Sequence, residues 1–303
     1  MKQVLSIILF FFLISNAISG ERAGIVSGQF LKLPTNARIV GMGSAQVALA
    51  SGVTSLAFNP SGILSVEQTA VASSYSKWFA NINHSFIGGV INYEDIGTIG
   101  IGTTILSTDD MIETTPLNPE GTGRKFTSGD YAFHLVYAKK ISTEFSVGVG
   151  VKYIYSFLFN DEITAKTFAF DIGTLYDIAE INTRLGVSIT NLGDDIQYVR
   201  EAYAIPTALK FGTNTVLYED EYSKFITAFQ VSRPNDADEQ YNLGVEYAFQ
   251  NFALRSGYKF NYDAENLTLG FGYDIPNILK IDYGFNNFKV LPSTHTFSFE
   301  VNF

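Results

Sequence analysis

Residues 145–155 read Phe-Ser-Val-Gly-Val-Gly-Val-Lys-Tyr-Ile-Tyr, so that Phe145, Val147, Val149, Val151, Tyr153 and Tyr155 alternate with Ser146, Gly148, Gly150, Lys152 and Ile154. A period of two puts each set on one face of a β-strand. The pattern recurs at 243–249, where Leu243, Val245, Tyr247 and Phe249 interleave Gly244, Glu246 and Ala248, and again at 267–274 and 279–285. In a soluble sandwich the second face would be solvated and rich in Lys, Glu and Thr. Here it is mostly Gly, Ala and Ser with sparse charge, while the first face is a nearly unbroken apolar band. Apolar-out, small-or-polar-in segments of about ten residues are the signature of a transmembrane β-barrel, whose closure satisfies every backbone group. Tyr137, Tyr155, Tyr176, Tyr247 and Tyr273, at segment ends, suit interfacial girdles.

Composition agrees. The 303 residues are 46% hydrophobic and 15% aromatic, only 17% charged, with 26 glycines and no cysteine. Such a chain is no disulfide scaffold, cysteine-ligated metal protein or disordered polymer. A net charge of −10 argues against nucleic acid as a partner, because phosphate contacts need surplus Lys and Arg. Beyond the amino terminus no apolar run is long enough for a spanning helix.

Counting segments predicts an all-β barrel of about fourteen antiparallel strands, at 69–78, 84–93, 97–106, 131–140, 144–155, 164–177, 182–191, 206–217, 223–231, 240–249, 252–260, 266–273, 278–285 and 295–303. Links after even strands are tight, and most links after odd strands are longer and richer in Pro, Gly, Asn and Asp. That parity matches short periplasmic turns and longer extracellular loops, with both termini periplasmic. The last strand places Phe297, Phe299, Val301 and Phe303 on one face and stops on Phe303, resembling the signal that outer-membrane assembly machinery reads.

Residues 1–19 have the layout of a secretory signal: Lys2, an apolar stretch over 4–14, and small residues ending near Ser19. Cleavage there would leave an amino-terminal segment at 20–66 and a barrel at 67–303, in the outer membrane and in contact with its lipid. The 20–66 segment does not alternate. Its small residues over 43–50 and its Asn59-Pro60 and Gly62 turn chemistry fit a plug inside the lumen.

Within this segment, Phe30-Leu31-Lys32-Leu33-Pro34, then Ala37-Arg38 followed by Gly41-Met42-Gly43, then Phe58-Asn59-Pro60-Ser61-Gly62-Ile63 resemble the PorV/PorQ family of outer-membrane proteins. That family is similar to the FadL group, a fourteen-stranded barrel with an amino-terminal hatch carrying an Asn-Pro-Ala type motif, matched here with Ser61 for Ala. The resemblance implies a hatch motif of Leu33, Pro34, Arg38, Gly41, Met42, Gly43, Asn59, Pro60 and Gly62. It also implies a part in type IX secretion, with secretion-system proteins and cargo as partners. The alternative it implies is a FadL-like passive path for hydrophobic small molecules, which predicts a lateral opening or kinked strand and apolar pockets.

No enzyme chemistry is legible. His84, His134 and His295 lie in separate strands without metal-ligand spacing, and the acidic residues cluster in turns, so neither a metal nor a cofactor is expected. Inward-facing charges are few: Lys152, Arg184, Lys210, Glu246, Arg255, Lys259, Lys280, Asp282 and Glu300. Buried, they must pair or be wetted, and the expectation is that they pair with one another and pin the amino-terminal segment.

Overall fold

The computed structural model describes residues 25–94 and 96–303; the expected signal at 1–19, the first five residues of the 20–66 segment and Asp95 of one tight turn lie outside them. The strands are β1 (Thr69–Lys77), β2 (Ile82–Tyr93), β3 (Gly97–Thr108), β4 (Met111–Ile112), β5 (Lys125–Phe126), β6 (Gly129–Lys140), β7 (Phe145–Leu158), β8 (Ile163–Ile178), β9 (Thr183–Gly193), β10 (Ile196–Tyr198), β11 (Glu201–Tyr203), β12 (Ala208–Glu219), β13 (Ser223–Pro234), β14 (Gln240–Phe249), β15 (Phe252–Phe260), β16 (Glu265–Ile275), β17 (Leu279–Phe288) and β18 (Thr294–Asn302). Fourteen of them close into one barrel in the order β1-β18-β17-β16-β15-β14-β13-β12-β9-β8-β7-β6-β3-β2. The ring shuts where β1 pairs antiparallel with β18, Ala70 opposite Asn302 through Lys77 opposite His295.

The two faces divide as the alternation requires. Ile101, Phe133, Leu135, Phe168, Leu254 and Phe271 are exposed on the outer wall, whereas Ala132, Val136, Ile154 and Ala169 are buried on the inner one. Near the long-loop end the outer wall carries a run of touching rings, with Tyr131 against Phe133, Tyr155 and Phe157, and Tyr153 against Phe168. Rings of this kind suit the membrane interface.

Each of the fourteen predicted strands is present, with ends displaced by up to three residues where hydrogen bonding continues past the apolar pattern, as in β7 and β13. The hairpins β4–β5 and β10–β11 stand apart from the barrel inside two long links. Their arms of two or three residues are too short to show a period.

Residues 25–66 pack on the inward faces of the strands. The short helix α1 (Ala37–Gly41) lies on β15 to β18, the 3-10 turn Val53–Ala57 on β1, β2, β3 and β6, and the 3-10 turn Pro60–Ser65 on β3, β6, β7 and β8. Asn36 starts α1, its side-chain oxygen accepting from the amides of Arg38 (2.7 Å) and Ile39 (3.4 Å).

The course of this segment departs from the expected periplasmic placement of both termini. Val26 bridges Ala204, in the link after β11 at the long-loop end, and Ile25 beside it is exposed. Glu67 lies at the opposite end, its carbonyl accepting from Asn92, where Phe303 N also donates to Thr69 O. Strand parity fixes only where β1 begins, and the preceding residues traverse the ring from the other end. In this cysteine-free chain, Ile25→Cys and Leu117→Cys are expected to react with a membrane-impermeant maleimide on intact cells, and Glu221→Cys, on a short turn, only after permeabilisation. Labelling of Ile25→Cys solely in permeabilised cells would refute this course.

Candidate functional site

The hatch-motif residues are placed by steric contact with inward-facing glycines. A Cβ on Gly41 would come within 2.9 Å of Gly270 Cα. A Cβ on Gly257 would strike the Gly43 amide nitrogen, and one on Gly244 the Met42 carbonyl oxygen. Gly43 itself has φ 65°, a left-handed conformation that side chains disfavour. The Gly41-Met42-Gly43 run is therefore a backbone-to-backbone seam, tied by Thr268 Oγ1 donating to Gly41 O (3.1 Å) and accepting from Gly43 N (3.0 Å), and by Asn242 Nδ2 donating to Gly43 O (2.7 Å).

Asn59 and Pro60 make a second seam. Asn59 Oδ1 accepts from Ser61 Oγ (2.7 Å), and its Nδ2 donates to Val47 O (2.8 Å) and Thr174 O (3.4 Å). A Cβ on Gly148 would meet Pro60 and Ser61 backbone, and one on Gly173 the Asn59 carboxamide. Gly62 is equally constrained, since a Cβ there would lie 2.7 Å from the Ala50 and Ser55 Cβ atoms. Leu33 and Pro34 are half-buried, Leu33 beside the cluster of Phe30, Ala132, Ile154, Ala165, Ala169, Ile196 and Ile205 near the long-loop end.

Four charged groups join the segment to the wall. Arg38 donates to both oxygens of Glu246, from Nε and Nη2 at 2.8 Å each. Arg255 Nε donates to the same carboxylate at 2.5 Å and its Nη1 to Asp282 at 2.6 Å. Glu300 adds a further tie, accepting from Val53 N at 2.8 Å while pairing with Lys280 at 3.4 Å. Lys152 sits between Asp171 (2.7 Å) and Asn191 Oδ1 (2.6 Å), and Lys259 pairs with Glu265. Asp171 is not among the inward charges expected from the sequence, although its alternation with Ala169 and Gly173 marks it as inward.

Four of the nine charges depart from the expected mutual pairing: Lys152 and Lys259 pair with Asp171 and Glu265, carboxylates outside that set, and Arg184 and Lys210 do not join it. Arg184 lies at the short-turn rim, its side chain 33% exposed and paired with Asp177 (2.6 Å), because its strand has only just begun there. Lys210 is inward and buried but makes no hydrogen bond or ion pair among the described residues. His84 and His134 are buried inward, while His295 faces outward and bonds Tyr283 at 2.7 Å. Phe297 and Phe299 are exposed on the outer wall, as is Phe303 after β18; Val301 is half-buried.

The register shifts at three places in the wall, within β12–β13 at Val216/Tyr218, within β16–β17 at Glu265/Thr268 and within β8–β9. Between Phe170 and Ile172 the β8–β9 register shifts, and Asn191 adopts φ 59°. Above this bulge β9 no longer pairs with β12, and the separation is bridged by Asn191 Nδ2 donating to Pro206 O (3.0 Å) and Thr207 Oγ1 donating to Asn191 O (2.8 Å). Two clefts open at the ends of the ring, about 360 Å³ beside Arg233, Asp238, Glu239 and Asn261, and about 340 Å³ beside Arg38, Leu49, Asp177, Arg184 and Lys224. Both are lined largely by polar and charged groups.

The family model described as Type IX secretion system protein PorV matches residues 17–234. The chain belongs to this PorV family. No curated protein matches the sequence. Among solved structures, the CymD monoaromatic hydrocarbon channel superposes with a TM-score of 0.64 at 11% identity, over 89% of this chain and 97% of that one. The Ralstonia pickettii toluene transporter TbuX gives 0.59 at 13% identity, over 90% and 99%. The Pseudomonas putida toluene transporter TodX gives 0.60 at 12%, over 89% and 99%. At these identities the likeness shows the fold, that of FadL-like outer-membrane barrels. The PorV relationship associates the chain with type IX secretion, and its family and neighbours are a secretion-system barrel and hydrocarbon channels rather than enzymes.

Gly257→Ala, which forces a Cβ into the Gly43 backbone, is expected to cost about 1–3 kcal/mol, whereas Gly89→Ala, whose nearest neighbour would be 3.6 Å away, should be silent. Heat-induced loss of the folded gel band separates them, and equal midpoints would contradict the seam. Glu246→Gln leaves the buried Arg255 and the part-exposed Arg38 with Asp282 as the remaining paired carboxylate and should lower stability by roughly 3–5 kcal/mol in the same assay; a variant as stable as the parent would show that the network does not pin the segment.

Proposed function

We propose that this PorV family barrel is a non-enzymatic component of type IX secretion that binds partner proteins, cargo or attachment components, at its long-loop, cell-surface end. In this reading residues 1–19 are a cleaved signal, 20–66 form a hatch that stays in the lumen, 67–303 form the membrane barrel, and the strand ending in Phe303 is the signal for assembly. The observation that carries it is the family match over residues 17–234. The glycine seams and the Arg38–Glu246 tether support it, because a lumen so filled leaves the loops as the surface available for work. Leu117 (91% exposed), Val290 (86%) and Val199 (75%) supply apolar contact at that end.

The second reading, passage of hydrophobic small molecules, draws on the neighbouring hydrocarbon channels and on the β8–β9 bulge. Against it stand the bonds across the gap above that bulge and the polar linings of the two clefts.

Affinity purification of the tagged chain from its native envelope in mild detergent is expected to recover type IX secretion components or their surface cargo. Leu117→Glu combined with Val290→Glu should reduce that recovery by about fivefold or more while the barrel folds normally. A deletion strain that exports its surface proteins normally would overturn the proposal, and vesicles carrying the protein that become permeable to small aromatic hydrocarbons would favour the second reading.

A further inference from the structure

Lys210 occupies an inward-facing position of β12, directly opposite Ser188 of β9 and Ser232 of β13. Thr190 lies two residues along β9 on the same face, opposite Ala208. All four are buried, with exposures of 8% for Lys210, 1% for Ser188, 5% for Ser232 and 2% for Thr190. Ser188 Oγ and Thr190 Oγ1 are buried without a hydrogen-bond partner, and neither Lys210 Nζ nor Ser232 Oγ makes a hydrogen bond among the described residues. On the same face and two residues nearer the short turns, Gly186 and Gly212 pair and lie against Val47, which makes the floor.

The surrounding charges do not satisfy Lys210. The charged groups that bear on it are Lys152, Asp171 and Lys32. Asp171 is already taken by Lys152 at 2.7 Å and by the Asn191 amide at 2.8 Å, and Lys32 is taken by Asp236 at 2.8 Å. Counting Lys210, Lys152 and Lys32 against Asp171 and Asp236 leaves one surplus positive charge in this part of the lumen. Unpaired acceptors exist nearby, at Asn235 Oδ1 and Asp236 Oδ1 in the link after β13, but neither bonds the ammonium. A buried cation is stable only with a counter-charge or full hydrogen bonding. Three hydroxyls at neighbouring register positions on the same inner face are donors that still lack acceptors.

We propose that Lys210, Ser188, Thr190 and Ser232 form a binding site for one small monovalent anion of halide size, seated above Val47 and beneath the Lys32–Asp236 pair. The anion supplies the missing negative charge and accepts from the hydroxyls, so that it completes the packing between the amino-terminal segment and the β9–β12–β13 wall. The site is independent of any partner bound by the loops.

Crystals of the full-length barrel grown with bromide as the sole small anion test this directly. Anomalous density within hydrogen-bond reach of Lys210 Nζ and Ser188 Oγ is expected. In solution, the thermal unfolding midpoint of the detergent-solubilised protein should rise by several degrees when gluconate is replaced by chloride at constant ionic strength. That rise should disappear in Lys210→Met and shrink in Ser188→Ala. Ordered water without anomalous signal at Lys210, or a midpoint indifferent to the anion in the parent protein, overturns the proposal even if Lys210→Met fails to fold.

Discussion

A backbone amide left unpaired in hydrocarbon costs several kcal/mol, and no water is present to relieve it. The antiparallel pairing of β1 with β18 removes the last two open edges, and the rest of the molecule depends on that closure. Once the ring is shut, alternation sorts the side chains without further instruction. One face meets lipid and must be apolar; the other encloses a space that something must fill. This is why the chain is hydrophobic enough for a membrane while its described helices are all too short to cross one. Every second residue belongs to the interior and dilutes the average.

How that interior is filled follows from side-chain size. Glycine on the inner wall lets the backbone of residues 41–43 and 59–61 approach the strands more closely than any side chain would permit. Dispersion attraction across so close a fit is small for each atom pair and large for the whole seam. Charge then fixes the register of the fit. Arg38 on the segment and Arg255 on the wall converge on one carboxylate, Glu246, which is what joins the two. Packing gives the seam its tightness, and the ion network allows only one way of making it.

Strand number, strand faces and the parity of the links were legible from residues 145–155 outward, because a period of two survives in any membrane strand long enough to span. The composition of the segment before β1 was legible too, but its contacts were not. That Gly41 faces Gly270, or that Arg38 meets Glu246 some two hundred residues away, is a matter of which strand lies beside which inner residue, and alternation is silent on it. Asp171 shows the intermediate case. Its facing could be read from its neighbours, yet its importance comes from Lys152 on the adjacent strand. The hairpins β4–β5 and β10–β11 left no trace in the pattern, since two or three residues do not make a period. The entry of the segment from the long-loop end was hidden for a different reason: strand parity says nothing about residues that are not strands.

The same barrel architecture can serve as a conduit or as a support, and how the interior is filled bears on the choice. A conduit needs a filling that yields, held by interactions weak enough to break and re-form as solute passes. Here motion of residues 36–66 would drag glycine-backed main chain across the wall. It would also take the bidentate Arg38 away from Glu246 and leave that buried carboxylate to Arg255 alone. The amino-terminal segment instead reinforces the wall from within. Rigidity of that kind is compatible with the proposed binding of partners at the loops, where Leu117, Val199 and Val290 are exposed. The fold shared with the hydrocarbon channels at 11–13% identity therefore describes the architecture of this chain and does not assign it their activity.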